Sequence, residues 1–139
     1  MRVGTKIFLG IGAVLVIAIG FFVIFPYLLV GPPLPLLSIE NKDINNEHEV
    51  VVEIFNSNNQ SIFKKTVLLS PNEEISYPKP LWLKLPWTRG EYTFKITMDD
   101  TYRLPFMTEI YPWVEIHIIL YSKDRKGQIS PLTIVHVMV

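Results

Sequence analysis

The chain contains no cysteine among its 139 residues. That absence removes disulfides, thiol nucleophiles, cysteine-ligated zinc and blue-copper centres, whose copper requires a thiolate. An excess of positive charge is missing too, since Lys and Arg number 13 and Asp and Glu 13. Arg2 and Lys6 precede the first apolar run, which leaves 11 cations against 13 carboxylates in the remainder. A nucleic-acid partner wants a basic face, so none is expected. No run of residues carries a catalytic signature, and neither an enzymatic activity nor a cofactor is expected.

Between residues 7 and 30 charge of either sign is absent. About 24 residues at about 1.5 Å each span roughly 36 Å as a helix, enough to cross a hydrocarbon layer of about 30 Å. A secretory signal has a shorter apolar core followed by small residues at a cleavage site. Here the run ends in the bulky "FFVIFPYLLVG", so an uncleaved anchor is expected. Arg2 and Lys6 lie before the run and the next charge is Glu40. Residues 1–6 are therefore expected in the cytoplasm and the rest outside, at the cell membrane. Glycines stand at 10, 12 and 20, but no two small residues are four apart, so the tight helix-pairing motif is missing. Residues 31–37, "GPPLPLL", read as an extended proline-rich linker of about 20 Å.

From residue 38 to 139 the pattern changes to alternation. "HEVVVEIF" sets Val50, Val52 and Ile54 on one face, "EYTFKITM" sets Tyr92, Phe94, Ile96 and Met98, and "VEIHIILY" sets Val114, Ile116, Ile118 and Leu120. Period two over such runs predicts half-buried strands. Turn clusters separate them: "NSNNQ", "SPNEE", "DDT" and "KDRKGQ". With "SIFKKTVLL", "EEISYP", "YRLPF" and "LTIVHVMV" the total is about seven strands, and no helical period appears outside the anchor. An all-β antiparallel two-sheet sandwich behind a transmembrane helix is predicted.

The succession "HEVVVEIFNSNNQSIFKKTVLLSPNEE", followed by "RGEYTFKITMDD", resembles small immunoglobulin-like domains of archaeal and bacterial surface proteins. In that resemblance Gly90-Glu91-Tyr92 matches the tyrosine corner of such sandwiches, where the ring packs and its hydroxyl ties down a loop. The resemblance covers roughly residues 48–100 and implies architecture only, with no catalytic residues. The cysteine pair of antibody-type domains is missing. The helix-then-sandwich plan also resembles that of archaellum stator proteins, which implies anchoring to a surface layer as one alternative role.

Several residues stand out as candidates. "YPKPLWLKLPW" crowds two tryptophans, three prolines and three leucines into a segment that bridges two strands. One reading is an apolar ledge with Trp82, Trp87 and Leu83 as partner-binding residues, the tryptophans anchoring on a partner subunit or on the membrane surface; the other is a proline-bounded edge strand capping the core. His136 and Met138 fall on one side of a strand, where a His and a Met can share a soft metal such as copper. No methionine-rich run accompanies them, and an ordinary sheet surface is the better reading. "NKDIN" at residues 41–45 alternates oxygen ligands as calcium loops do, yet Val52 stands where the bidentate glutamate belongs, so a solvated loop is expected. Asp99 and Asp100 read as turn residues rather than a catalytic pair. Asn59-Gln60-Ser61 is a glycosylation sequon on an outer hairpin loop. The expected function is that of a non-enzymatic single-pass membrane protein, bound to the bilayer through residues 7–30. Its outer domain is expected to serve as an accessory interaction subunit with another membrane or envelope protein. A tethered copper-binding domain is the alternative of a different class.

Overall fold

The computed structural model describes residues 3–139, and the chain divides into two compact units at Pro33/Leu34. The first holds α1 (Val3–Val30), which is long and apolar enough to cross a membrane. It includes Val3, Gly4, Thr5 and Lys6, four residues ahead of the expected span, with no proline among them to stop it. Arg2 lies outside the described residues. Pro26 removes one amide donor without ending the helix. The end comes at Gly31, whose φ of +101° suits glycine and whose N–H donates to the Tyr27 carbonyl at 2.9 Å.

The second unit is a pair of four-stranded sheets. One sheet has the order β4-β1-β7-β8 and the other β3-β2-β5-β6. The strands are β1 (Leu37–Asn41), β2 (His48–Phe55), β3 (Ser61–Leu69), β4 (Glu74–Tyr77), β5 (Gly90–Met98), β6 (Tyr102–Ile110), β7 (Val114–Lys123) and β8 (Ile129–Met138). A single-turn helix, α2 (Leu81–Lys84), bridges β4 and β5. The expected sandwich is present, with one strand more than the alternation predicts. That strand, β1, is five residues long and buried on both faces, and the brief alternation in "LSIEN" runs straight on from the leucine–proline segment. It pairs antiparallel with β4 and parallel with β7, Leu37 facing Ile116 and Ile39 facing Ile118. The sheets are thus antiparallel except at that one seam.

Alternation placed the core correctly. Val50, Val52, Ile54, Phe94, Ile96, Met98, Val114, Ile116, Ile118 and Leu120 are all buried, and Phe94 stacks on Phe106 at 5.0 Å between ring centroids. Tyr92 lies over Gly90, where a side chain would meet the ring at 3.2 Å. Burial alone raises its pKa, with no hydrogen bond contributing. The packing half of the expected tyrosine corner is therefore present, and among the described residues its hydroxyl ties down no loop.

The linker is shorter than "GPPLPLL" suggested. Leu36 and Leu37 are buried in the core, and the Leu34 and Leu36 amides donate to Pro112 and Tyr77 carbonyls. The leucines among the prolines are worth burying, and they draw the chain into the sandwich by Leu34. Only residues 31–33 remain between the units, a contour of about 10 Å.

Candidate functional site

The chain's twists through the two sheets place its loops at two ends of the sandwich. Strand directions put the start of β1, the end of β4, α2, the starts of β5 and β7 and the end of β8 at the end where the chain arrives from α1. At that end a lysine is swallowed whole. Lys79 is 2% exposed, and its three N–H donors are shared among four carbonyls around Nζ: Leu34 at 2.7 Å, Pro35 at 2.9 Å, Pro112 at 3.2 Å and Val114 at 2.5 Å. Desolvation pulls its pKa down to about 8, against the opposing pull of Glu115. The ammonium ties the incoming segment to β4 and β7. It is fully engaged and faces no open cavity, so its role is structural.

The tryptophan segment follows directly. Pro80 stands at the N-cap of α2 with an extended ψ of 155°, and Leu85 closes the turn in an extended conformation. Prolines at 78, 80 and 86 thus confine the helix to one turn. Within it Leu83 is 1% exposed and belongs to the core, so it does not join the partner-binding set to which the sequence assigned it. It nails α2 down while Leu81, Trp82 and Trp87 remain exposed. The segment is neither an edge strand nor a free loop: it is a ledge with a buried root. Trp82 leans on Tyr92 at 6.3 Å, and Arg89 lies over the Tyr111 ring at 5.0 Å while pairing with Glu109.

At the opposite end sequence reasoning missed a constellation. His48 is inserted between two carboxylates, Nδ1 to Asp99 Oδ2 at 2.6 Å and Nε2 to Asp43 Oδ2 at 2.9 Å. Its ring stacks on Tyr121 at 4.6 Å. Asp99 is held in turn: Oδ1 accepts from the Glu49 amide at 2.9 Å, and both Asp99 and Asp100 take positive φ in the β5–β6 turn. Asp43 is fixed by the amides of Asn45 and Asn46, and buried Asn41 donates to the carbonyls of Asn46, Leu69 and Ser70. The "NKDIN" segment is therefore an ordered loop built on its own side chains. Desolvation opposes the charged imidazole, but the hydrogen bonds and charges of Asp43 and Asp99 outweigh it and raise the His48 pKa. The bond from His48 leads the causes that hold Asp43 well below the usual carboxylate range. When both nitrogens donate to the two carboxylates the ring carries a positive charge and has no lone pair for a metal. This is a charged latch, and one signal pointed to it: His48 is in phase with Val50, Val52 and Ile54, hence directed inward.

The remaining histidines are dispersed. His117 lies on the outward face of β7, 3.6 Å from Glu40 Oε2 and 3.8 Å from Glu74 Oε1, and its Nε2 is buried without a hydrogen bond. Beside it the Ser38 hydroxyl donates to Glu115 and accepts from Ser76. His136 bonds Thr108 through Nε2 at 3.1 Å, linking β8 to β6 across the side of the sandwich. Met138 shares that side of β8 and is exposed. Among the described residues no group of three His, Cys, Asp or Glu is placed to hold a metal ion. With His136 already bonded, added copper is expected to leave the melting temperature of the full chain unchanged; a stoichiometric shift abolished by His136→Ala would establish the copper reading instead. Asn59 is exposed in the β2–β3 hairpin at φ 57°, with Ser61 opening β3. An open hollow of about 590 Å³ over the β7–β8 hairpin is lined by Ser122, Lys123, Asp124, Ser130 and Thr133 among others.

Neither a scan against protein-family models nor a search of curated proteins returns a match for this chain. Its own geometry carries the functional argument.

Proposed function

We propose that the chain is a single-pass membrane protein, N-terminus in the cytoplasm and sandwich outside, whose outer domain is a non-enzymatic interaction subunit of a membrane or envelope assembly. The immunoglobulin-like reading draws support from the strand order. Hairpins β2–β3 and β5–β6 meet through β2 and β5, while β1 pairs with β4 in the other sheet. That is the arrangement of strands C, C′, F, G, B and E in such sandwiches. The β7–β8 hairpin then occupies the flank of β1.

The observation that carries the interaction reading is the edge strand β8. Exposed sheet edges are usually blunted by charge, proline or shortness. β3 carries Lys64 and Lys65, β6 carries Arg103, Pro105 and Glu109, and β4 has four residues. β8 runs ten residues without a formal charge, with Pro131 near its start, and exposes Val135, Val137 and Met138. A partner's strand can extend the sheet there. Mild-detergent purification of the full chain should retain a partner identifiable by mass spectrometry. Val135→Lys with Val137→Lys should reduce its retention about tenfold while the melting curve holds, since a charge on an edge strand disfavours strand addition. A chain that always emerges alone would end this reading.

A further inference from the structure

The two ends of the sandwich differ chemically. At the far end lie the loops bearing Asp43, Glu73, Asp99, Asp100, Asp124 and Arg125. At the end where the chain arrives, residues 77–89 contain no carboxylate; of their three cations Lys79 is buried among carbonyls, Arg89 pairs with Glu109, and Lys84 sits on α2 beside Trp82. The same stretch exposes Leu81 at 77%, Trp87 at 63% and Trp82 at 44%. Indole rings with an apolar body and one N–H donor collect at the headgroup level of bilayers, and cations beside them favour anionic phosphate.

Position points the same way. Lys79 holds the carbonyls of Leu34 and Pro35, and Leu81 follows two residues later. Leu34 itself is separated from the end of α1 by residues 31–33 alone, about 10 Å of extended chain. The headgroup layer is itself about 5–7 Å deep on each side of the hydrocarbon. The ledge is rooted by Leu83 and pinned by Lys79 to the segment that follows α1 after three residues.

From these observations we infer that residues 81–87 seat on the bilayer interface, Leu81, Trp82 and Trp87 entering the headgroup layer beside Lys84. The inference rests on α1 as a membrane anchor. It gives the ledge to lipid and leaves protein partners to β8 and the far end. A protein partner would not require the indoles to gather where the chain arrives.

The lack of cysteine makes the test clean, because one introduced thiol is unique. Full-length chain carrying Leu81→Cys, spin-labelled and placed in nanodiscs of phosphatidylcholine and phosphatidylglycerol, reports depth by its collision with oxygen and with a water-soluble nickel chelate. Phe8→Cys reports the anchor and Ile44→Cys, also exposed, the far end. The Leu81 label is expected to meet the chelate about fivefold less than the Ile44 label while remaining open to oxygen, as interfacial depth requires. Trp82→Ala with Trp87→Ala should return it towards the Ile44 value. A Leu81 label as wet as Ile44, with the Phe8 label lipid-buried, overturns the inference and leaves the anchor standing. Shielding from both probes means a protein contact, a second copy included, and overturns it as well. A wet Phe8 label removes the anchor reading and this inference with it.

Discussion

Lys79→Met is expected to lower the stability of the sandwich by about 3 kcal/mol, which for a domain of this size is a fall in Tm of roughly 15 °C. Methionine fills much of the space but donates nothing, so carbonyls of Leu34 and Pro35 lose the donor they have at 2.7 and 2.9 Å. The incoming segment then has less to hold it against β7. The wild-type chain should also respond to alkali. Its folded pKa, about 8, lies below the ordinary 10.5, so the unfolded chain binds more protons between those values. Stability rises with pH across that window and is lost as pH falls through about 8. Thermal melts from pH 7.5 to 10.5 check both points: Lys79→Met should remove the rise. A variant as stable as wild type would show that the carbonyls find other donors.

The second large effect belongs to the latch. His48→Gln should cost about 2 kcal/mol near pH 5.5, because Asp43 and Asp99 would face each other without a cation between them. The pH profile carries the sharper signature. The folded pKa of His48 is raised above 6.5, so its contribution is complete below 6.5 and is lost as pH rises through the folded value. Asp43 is lowered from 3.8, so its contribution is present above 3.8 and is lost in acid. Stability from the latch is greatest between these limits. His48→Gln should flatten the alkaline side while leaving the fold intact by circular dichroism. An unchanged profile would show that the imidazole is not the group being titrated.

The strands with one wet face were legible. β2, β5 and β7 alternate along eight or more residues, and their inward positions are the ones buried. β1 was hidden by its brevity: the alternation of Leu37 and Ile39 with Ser38 and Glu40 lasts only five residues and runs on from the leucine–proline segment. Parallel pairing with β7 leaves no mark on a sequence, because register is decided by partners some eighty residues away. Composition identified the tryptophan segment, but not which leucine would face inward, because a single turn bounded by prolines has too few residues to show a period. The latch draws on Asp43, His48 and Asp99, which are 5 and 51 positions apart. Each alone reads as loop, strand end or turn. Lys79 stood between prolines in an apolar stretch, and its fate depended on carbonyls arriving from two other segments.

The parallel seam between β1 and β7 has a consequence for how the domain is made. β1 is the first strand to leave the ribosome and the one that sits in the middle of its sheet. Its inner partner, Ile116 to Leu120, is synthesised last but for one hairpin strand. Contacts of such sequence separation close slowly, and chain synthesis at about 5–20 residues per second adds several seconds more. The hairpins β2–β3 and β5–β6 can form during that interval and β4 can close one edge of β1, but its other edge must wait for β7. The stretch that follows α1 is thus the part of the domain most exposed to capture by chaperones during biogenesis, and the parallel seam is the last piece of the fold to be sealed.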